Sequence, residues 1–129
     1  MKKIVISIKN SLLERAISKA LVDSGVFNPF CVKADSKNNG TVEQCKILQT
    51  QMLLAEVSHS SGCTLSARLV QAAELRRILP SCLIVFLCDE NYVPEFSNEL
   101  MHAKKDGKID AFFYTSVTHN FLVAALGAL

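Results

Sequence analysis

The residues able to do chemistry in this sequence are few and scattered. Glu56 is the one charge in an otherwise apolar run, Met52-Leu53-Leu54-Ala55-Glu56-Val57. A buried carboxylate is costly unless paired, so its expected place is the partly wet carboxyl end of a strand, where it can act as a fixed anion. Lys9 follows a second apolar run, Ile4–Ile8. His59-Ser60-Ser61-Gly62 contains a base and a nucleophile by type. Neighbours in sequence rarely have the geometry of a catalytic pair, and no acid is placed to orient the imidazole, so the stretch reads as a loop. His102 and His119 fall on helix surfaces. Cys63 precedes a helix, where a thiol can be activated, but small buried filler is the simpler use. Cys82 and Cys88 flank a core strand. No glycine-rich phosphate loop, Walker pattern or metal-ligand spacing is present.

These residues need a scaffold, and the composition bounds it. A chain of 129 residues, half of them hydrophobic and 20% charged, has the size and apolar content of one domain with an ordinary core. A net charge of +2 is far from the basic footprint of a nucleic-acid surface. The five cysteines include no C-x-x-C pair, and the amino terminus does not resemble a signal peptide, since Ile4–Ile8 is broken at once by Lys9. A reducing cytoplasm is therefore expected, with no membrane span.

Short apolar runs alternate with longer amphipathic stretches, the pattern of parallel strands joined by crossover helices. Strands are expected at Ile4–Ile8, Phe30–Lys33, Met52–Val57, Leu83–Cys88 and Ala111–Tyr114. Capping boxes at Ser11-Leu12-Leu13-Glu14 and Thr41-Val42-Glu43-Gln44 open the first two helices, and Gly25 stops the first. The third helix runs from Thr64 to Leu79 on a stripe of Leu65, Leu69, Ala72, Leu75 and Leu79, with Arg68, Arg76 and Arg77 facing water. The fourth spans Glu95–Lys105, the fifth Thr118 to Leu129, and Asp35–Gly40 is the clearest loop.

This alternation, opening Lys2-Lys3-Ile4-Val5-Ile6 and closing Asp110-Ala111-Phe112-Phe113-Tyr114-Thr115-Ser116-Val117-Thr118, resembles the receiver domain of bacterial response regulators over nearly the whole chain. The resemblance implies a flavodoxin-like, three-layer (βα)5 fold, a single domain over residues 1–129. Its five-stranded parallel sheet would have the order 2-1-3-4-5, with the site at the carboxyl ends of the strands. Active receivers carry two magnesium-binding acids after the first strand, an acceptor aspartate on the third, a hydroxyl after the fourth and a lysine after the fifth. Here those positions fall on Ile8 and Lys9, on Glu56, on Leu87 or Cys88, and on Thr115. Lys104, Lys105 and Lys108 lie earlier, around a longer loop. No position keeps its family residue, which implies a degenerate, non-enzymatic receiver with no metal or cofactor. Glu56 is then either a fixed mimic of the phosphorylated acceptor or a solvated strand-end acid, and the implied strand order sets the Lys9 ammonium within its reach, a half-exposed pair that contributes no more than ~1 kcal/mol.

Phe112 matches the fifth-strand aromatic that changes rotamer in active receivers. Phe112 or Tyr114 facing outward would adjoin a last helix that is apolar on every side, with Phe121, Val123 and Leu126 among its residues. A helix on one face of a sheet buries only one stripe. The expected partner is therefore a protein or a second copy, bound through the fourth helix, fifth strand and fifth helix, as the family commonly does. The chain could also be the receiver part of a longer regulator. The rival reading is a small-molecule-binding or enzymatic flavodoxin-like domain; it needs convergent polar groups in the crevice, and Lys9, Glu56, His59 and Thr115 include no nucleophile–base pair.

Overall fold

A computed structural model describes residues 1–33, 40–92 and 97–129. Five strands and five helices alternate: β1 (Lys2–Ser7), α1 (Ser11–Asp23), β2 (Phe27–Cys31), α2 (Gly40–Leu48), β3 (Met52–Val57), α3 (Leu65–Ile78), β4 (Leu83–Cys88), α4 (Ser97–Lys105), β5 (Ala111–Tyr114) and α5 (His119–Gly127). The strands form one parallel sheet in the order β2-β1-β3-β4-β5. This is the flavodoxin-like α/β arrangement expected from the sequence.

The two-residue period of a strand sends neighbouring side chains to opposite faces, so the apolar runs feed two cores. Val5, Leu53, Ala55, Val57, Ile84 and Phe86 pack with α2, α3 and α4 residues such as Val42, Leu75 and Leu100. Ile4, Ile6, Leu54, Val85 and Leu87 pack with Ile17 and Leu21 of α1 and with Leu122 and Leu126 of α5. The central strand β3 is buried along its whole length, as a sheet covered on both faces requires. Among the described residues, no helix is long and apolar enough to cross a membrane.

Local details differ from expectation at several points. β2 begins at Phe27, three residues before the expected Phe30. Asn28 and Pro29 read as strand breakers, yet β2 is an edge strand paired only with β1, where a proline without an N–H does no harm. The cap of α1 is Asn10, not Ser11: its side chain accepts from the amides of Leu12 and Leu13, both at 3.1 Å. Thr41 lies inside α2 instead of capping it, and its hydroxyl meets Ser7 Oγ at 3.1 Å. Thr64 and Thr118 do cap α3 and α5. Gly25 sits just past α1 at φ +73°, the left-handed conformation that favours glycine at a helix end. The described part of α4 begins at Ser97; the expected start at Glu95 and residues 35–39 of the expected loop lie outside the described residues.

Candidate functional site

The carboxyl ends of β1, β3, β4 and β5 surround Glu56. The register places Ser7 opposite Ala55, and Glu56 opposite Leu87, so the loop after β1 passes directly over the Glu56 side chain. Glu56 Oε1 accepts from the backbone amides of Lys9 at 2.7 Å and Asn10 at 3.4 Å, and Oε2 accepts from Ser58 Oγ at 2.7 Å. The acid is only 7% exposed, not partly wet as expected. Because Asn10 caps α1, the carboxylate lies beside a helix amino terminus, where the dipole favours negative charge.

The expected ion pair between the Lys9 ammonium and the Glu56 carboxylate is not formed; the Lys9 backbone N–H meets the carboxylate instead. Among the described residues the ion pairs are Lys19–Asp23, Arg76–Asp110 and Arg77–Glu74; neither Lys9 nor Glu56 takes part in one. Lys9 contributes its peptide N–H, while its side chain is exposed. An ammonium at the surface keeps its water, whereas a backbone amide in a tight loop must find an acceptor, and Glu56 provides it.

Arg68 corrects the sequence reading most sharply. Expected to face water, it is 1% exposed and lies beneath the crevice. Its Nε donates to the Glu56 carbonyl oxygen at 2.7 Å. Nη1 donates to Ser7 Oγ at 3.0 Å and Gln71 Oε1 at 2.9 Å, and Nη2 to Ser7 O at 2.8 Å and Cys63 Sγ at 3.5 Å. A guanidinium has five N–H donors, and all five find acceptors. Burial pushes the guanidinium down from its ordinary value, with the Cys63 thiol and the Glu56 charge acting in the opposite direction. The sequence did contain a signal for this. Leu65, Arg68, Ala72 and Leu75 recur at helical spacing and form the buried side of α3 with Gln71, so Arg68 belongs to the inward stripe. Arg76 is also half-buried, donating to Asp110 Oδ2 at 2.7 Å and Cys82 O at 3.0 Å; Arg77 is the exposed one.

Two small adjoining cavities, 330 and 250 Å³, open at this edge and share Asn10, Glu56 and Asp89. Lys9, Ser58, His59 and Ser60 line the first, Leu13 and Thr115 the second. Thr115 stands in the crevice after β5, as the resemblance placed it. Lys104, Lys105 and Lys108 precede β5 and are exposed towards the amino end of that strand. Leu87 and Cys88 are buried within β4, and the residue that reaches the crevice after that strand is Asp89, which the sequence reading passed over. Its carboxylate accepts from the Asn91 amide at 2.9 Å.

The nucleophile candidates are not brought together with a base. His59 packs edge-on against Tyr92, ring centroids 4.4 Å apart. Cys63 is buried, and burial pushes its thiol up, with Arg68 opposing. Cys88 and Cys45 are pushed up to about 12 and Cys82 to about 11, each chiefly by burial. These thiols are packing groups. Among the described residues no cluster of three or more His, Cys, Asp or Glu is placed to hold a metal. The magnesium of active receivers does not fit the side chains present. Ile8 is buried in the apolar core, Lys9 has no oxygen to offer, and both Glu56 oxygens already accept hydrogen bonds, whereas this ion demands oxygen ligands in near-octahedral array.

On the β5–α5 side, Phe112 is half-buried against the α3–α4 core and Phe113 against the α1–α5 core. Tyr114, 37% exposed, and Phe121, 56% exposed, stand at the surface, and Phe121 meets the Phe113 ring edge-on at 6.4 Å. Val123 is half-buried. Leu126 was expected in the exposed stripe and is not: it is 0% exposed, because with Leu122 it forms the inward i, i+4 pair of α5.

No family model matches the sequence, and no curated protein matches it. Solved structures do match. The DNA-binding response regulator of the LuxR family from Staphylococcus aureus superposes with a TM-score of 0.77 at 12% identity, covering 99% of this chain and 98% of that one. The signal receiver domain of the response regulator NarL from Mycobacterium tuberculosis gives 0.75 at 18% identity, over 98% and 94%. The chemotaxis protein CheY4 from Vibrio cholerae gives 0.74 at 15%, over 99% and 98%. The fold is that of a CheY-like receiver, and at these identities the likeness establishes the fold alone.

Proposed function

We propose that the chain is a degenerate receiver domain of a two-component-type regulator, one unit over residues 1–129, that signals by protein contact without accepting a phosphoryl group. The observation that carries this reading is the state of Glu56. At the position that the resemblance matches to the acceptor stands a carboxylate whose two oxygens are engaged by Lys9, Asn10 and Ser58, a fixed group where an active receiver is modified. With a fixed crevice, function passes to the surface. The fourth helix, fifth strand and fifth helix present Met101, Tyr114 and Phe121 exposed, and α5 has no charged residue along His119–Gly127. Such an apolar face suits a second copy or another protein, and the net charge of +2 gives no footprint for nucleic acid. Five unpaired cysteines, four of them buried, suit the cytoplasm.

Incubation with acetyl phosphate and magnesium, followed by intact mass, tests the reading. The expected outcome is an unchanged mass. A phosphorylated species that disappears in Glu56→Ala would overturn it.

A further inference from the structure

We propose that Arg68 is the built-in counter-ion of Glu56, a guanidinium fixed under the crevice that balances the carboxylate and holds its two strand ends together in place of any exchangeable cation. The inference rests on the reading of Glu56 as a fixed carboxylate at the acceptor position and goes on to say what sustains it. Both charges are buried, and the ion pairs among the described residues include neither of them, with each other or with a surface group. Hydrogen bonds satisfy the polar atoms of both groups, and two opposite charges held in one buried region also offset part of each other's cost of burial.

The geometry shows how one side chain serves both needs. Nε grips the peptide oxygen of Glu56 itself. Nη1 and Nη2 grip the hydroxyl and peptide oxygen of Ser7, the last residue of β1 and two positions before the amide that binds the Glu56 carboxylate. The guanidinium therefore fixes both halves of the carboxylate site, the strand that presents the acid and the strand that leads to its donors. Ser7 passes the connection to Thr41 in α2, and Gln71 anchors it to α3. The guanidinium meets the carbonyl of Glu56 and not its carboxylate, and the Glu56 charge raises the guanidinium against the effect of burial. The carboxylate oxygens stay with Lys9, Asn10 and Ser58, on the crevice side.

Removing the guanidinium should leave the carboxylates of Glu56 and Asp89, which line the same cavities, short of positive charge. Wild type, Arg68→Met, Glu56→Gln and the double variant are compared by urea unfolding and by amide NMR, with and without millimolar magnesium chloride. In Arg68→Met the Lys9 and Asn10 amide resonances should shift well beyond the rest of the chain. Magnesium, held through its water shell because these side chains offer no inner coordination set, should then produce saturable shifts at Lys9, Asn10 and Asp89 that wild type does not show. In the double variant the urea midpoint should recover part of the loss and the magnesium response should vanish, because the charge needing a partner is gone.

Strictly additive urea effects overturn the proposal, as do unshifted amides with no magnesium response in a folded Arg68→Met, or saturable magnesium binding at these residues in wild type. Should Arg68→Met fail to fold, the double variant decides: recovered folding supports the proposal, and failure to fold while Glu56→Gln folds overturns it. Phosphoryl uptake at Glu56 would defeat the functional reading above while leaving the dependence of these resonances on Arg68 measurable.

Discussion

The crevice edge of the sheet and the outer face of α5 solve opposite problems. At the crevice, two charged groups lie inside the protein and nearly every polar atom is matched: the Arg68 guanidinium uses all its donors and the Glu56 carboxylate both its oxygens. On α5 there is no charge to match, and Phe121 stands 56% exposed. A site whose polar groups are internally satisfied has little left to offer a reacting ligand, whereas an apolar face left uncovered gains by being covered. On the proposed reading, the crevice serves specificity of fold and the α5 face serves association.

The largest expected effect comes from breaking the crevice. Arg68→Met should cost about 3–5 kcal/mol in urea unfolding, since removing one member of a buried charged network strands the remaining charge and acceptors. A loss within the range of an ordinary surface substitution, ~0.5 kcal/mol, would show that the network is not what it looks like.

The α5 side is sharpened by a pair of substitutions five residues apart on that helix. Leu126→Ala should cost about 2–5 kcal/mol, as for other fully buried leucines, with little effect on association. Phe121→Ser should leave stability within ~0.5 kcal/mol and weaken any self-association seen by sedimentation at micromolar concentration. Equal effects on association would erase the distinction between the two sides of the helix.

The smallest effects concern the thiols. At neutral pH a disulfide reagent should label Cys31 alone in the native protein and all five cysteines once unfolded, because Cys45, Cys63, Cys82 and Cys88 are buried. Cys45 and Cys88 are raised from 9.0 to about 12 and Cys82 to about 11. A group raised in the folded state contributes stability that is complete below its unfolded value and is lost as pH climbs through the folded one. The urea midpoint should therefore fall above pH 9, and less steeply in Cys88→Val.

The architecture was legible in the sequence because it depends on period and punctuation. Three strands, at Met52–Val57, Leu83–Cys88 and Ala111–Tyr114, coincide with those observed, since continuous apolar runs of that length have few other uses in an α/β chain. The resemblance also put Glu56 opposite the loop carrying Lys9. β2 was less clear, since an edge strand tolerates residues that a central strand rejects.

What only the tertiary structure decided is which polar atoms meet. Sequence types suggested an ammonium facing a carboxylate; the fold used the Lys9 peptide N–H. By type Arg68 belongs to water, and its helical phase, shared with Leu65, Ala72 and Leu75, puts it inside. Phase alone could not make burial affordable there. That required acceptors from Ser7, Glu56, Cys63 and Gln71, gathered from segments up to 61 positions away in the chain. Hydrophobic burial follows local pattern because it is non-directional, whereas the burial of charge depends on distances and angles that exist only once the strands are side by side.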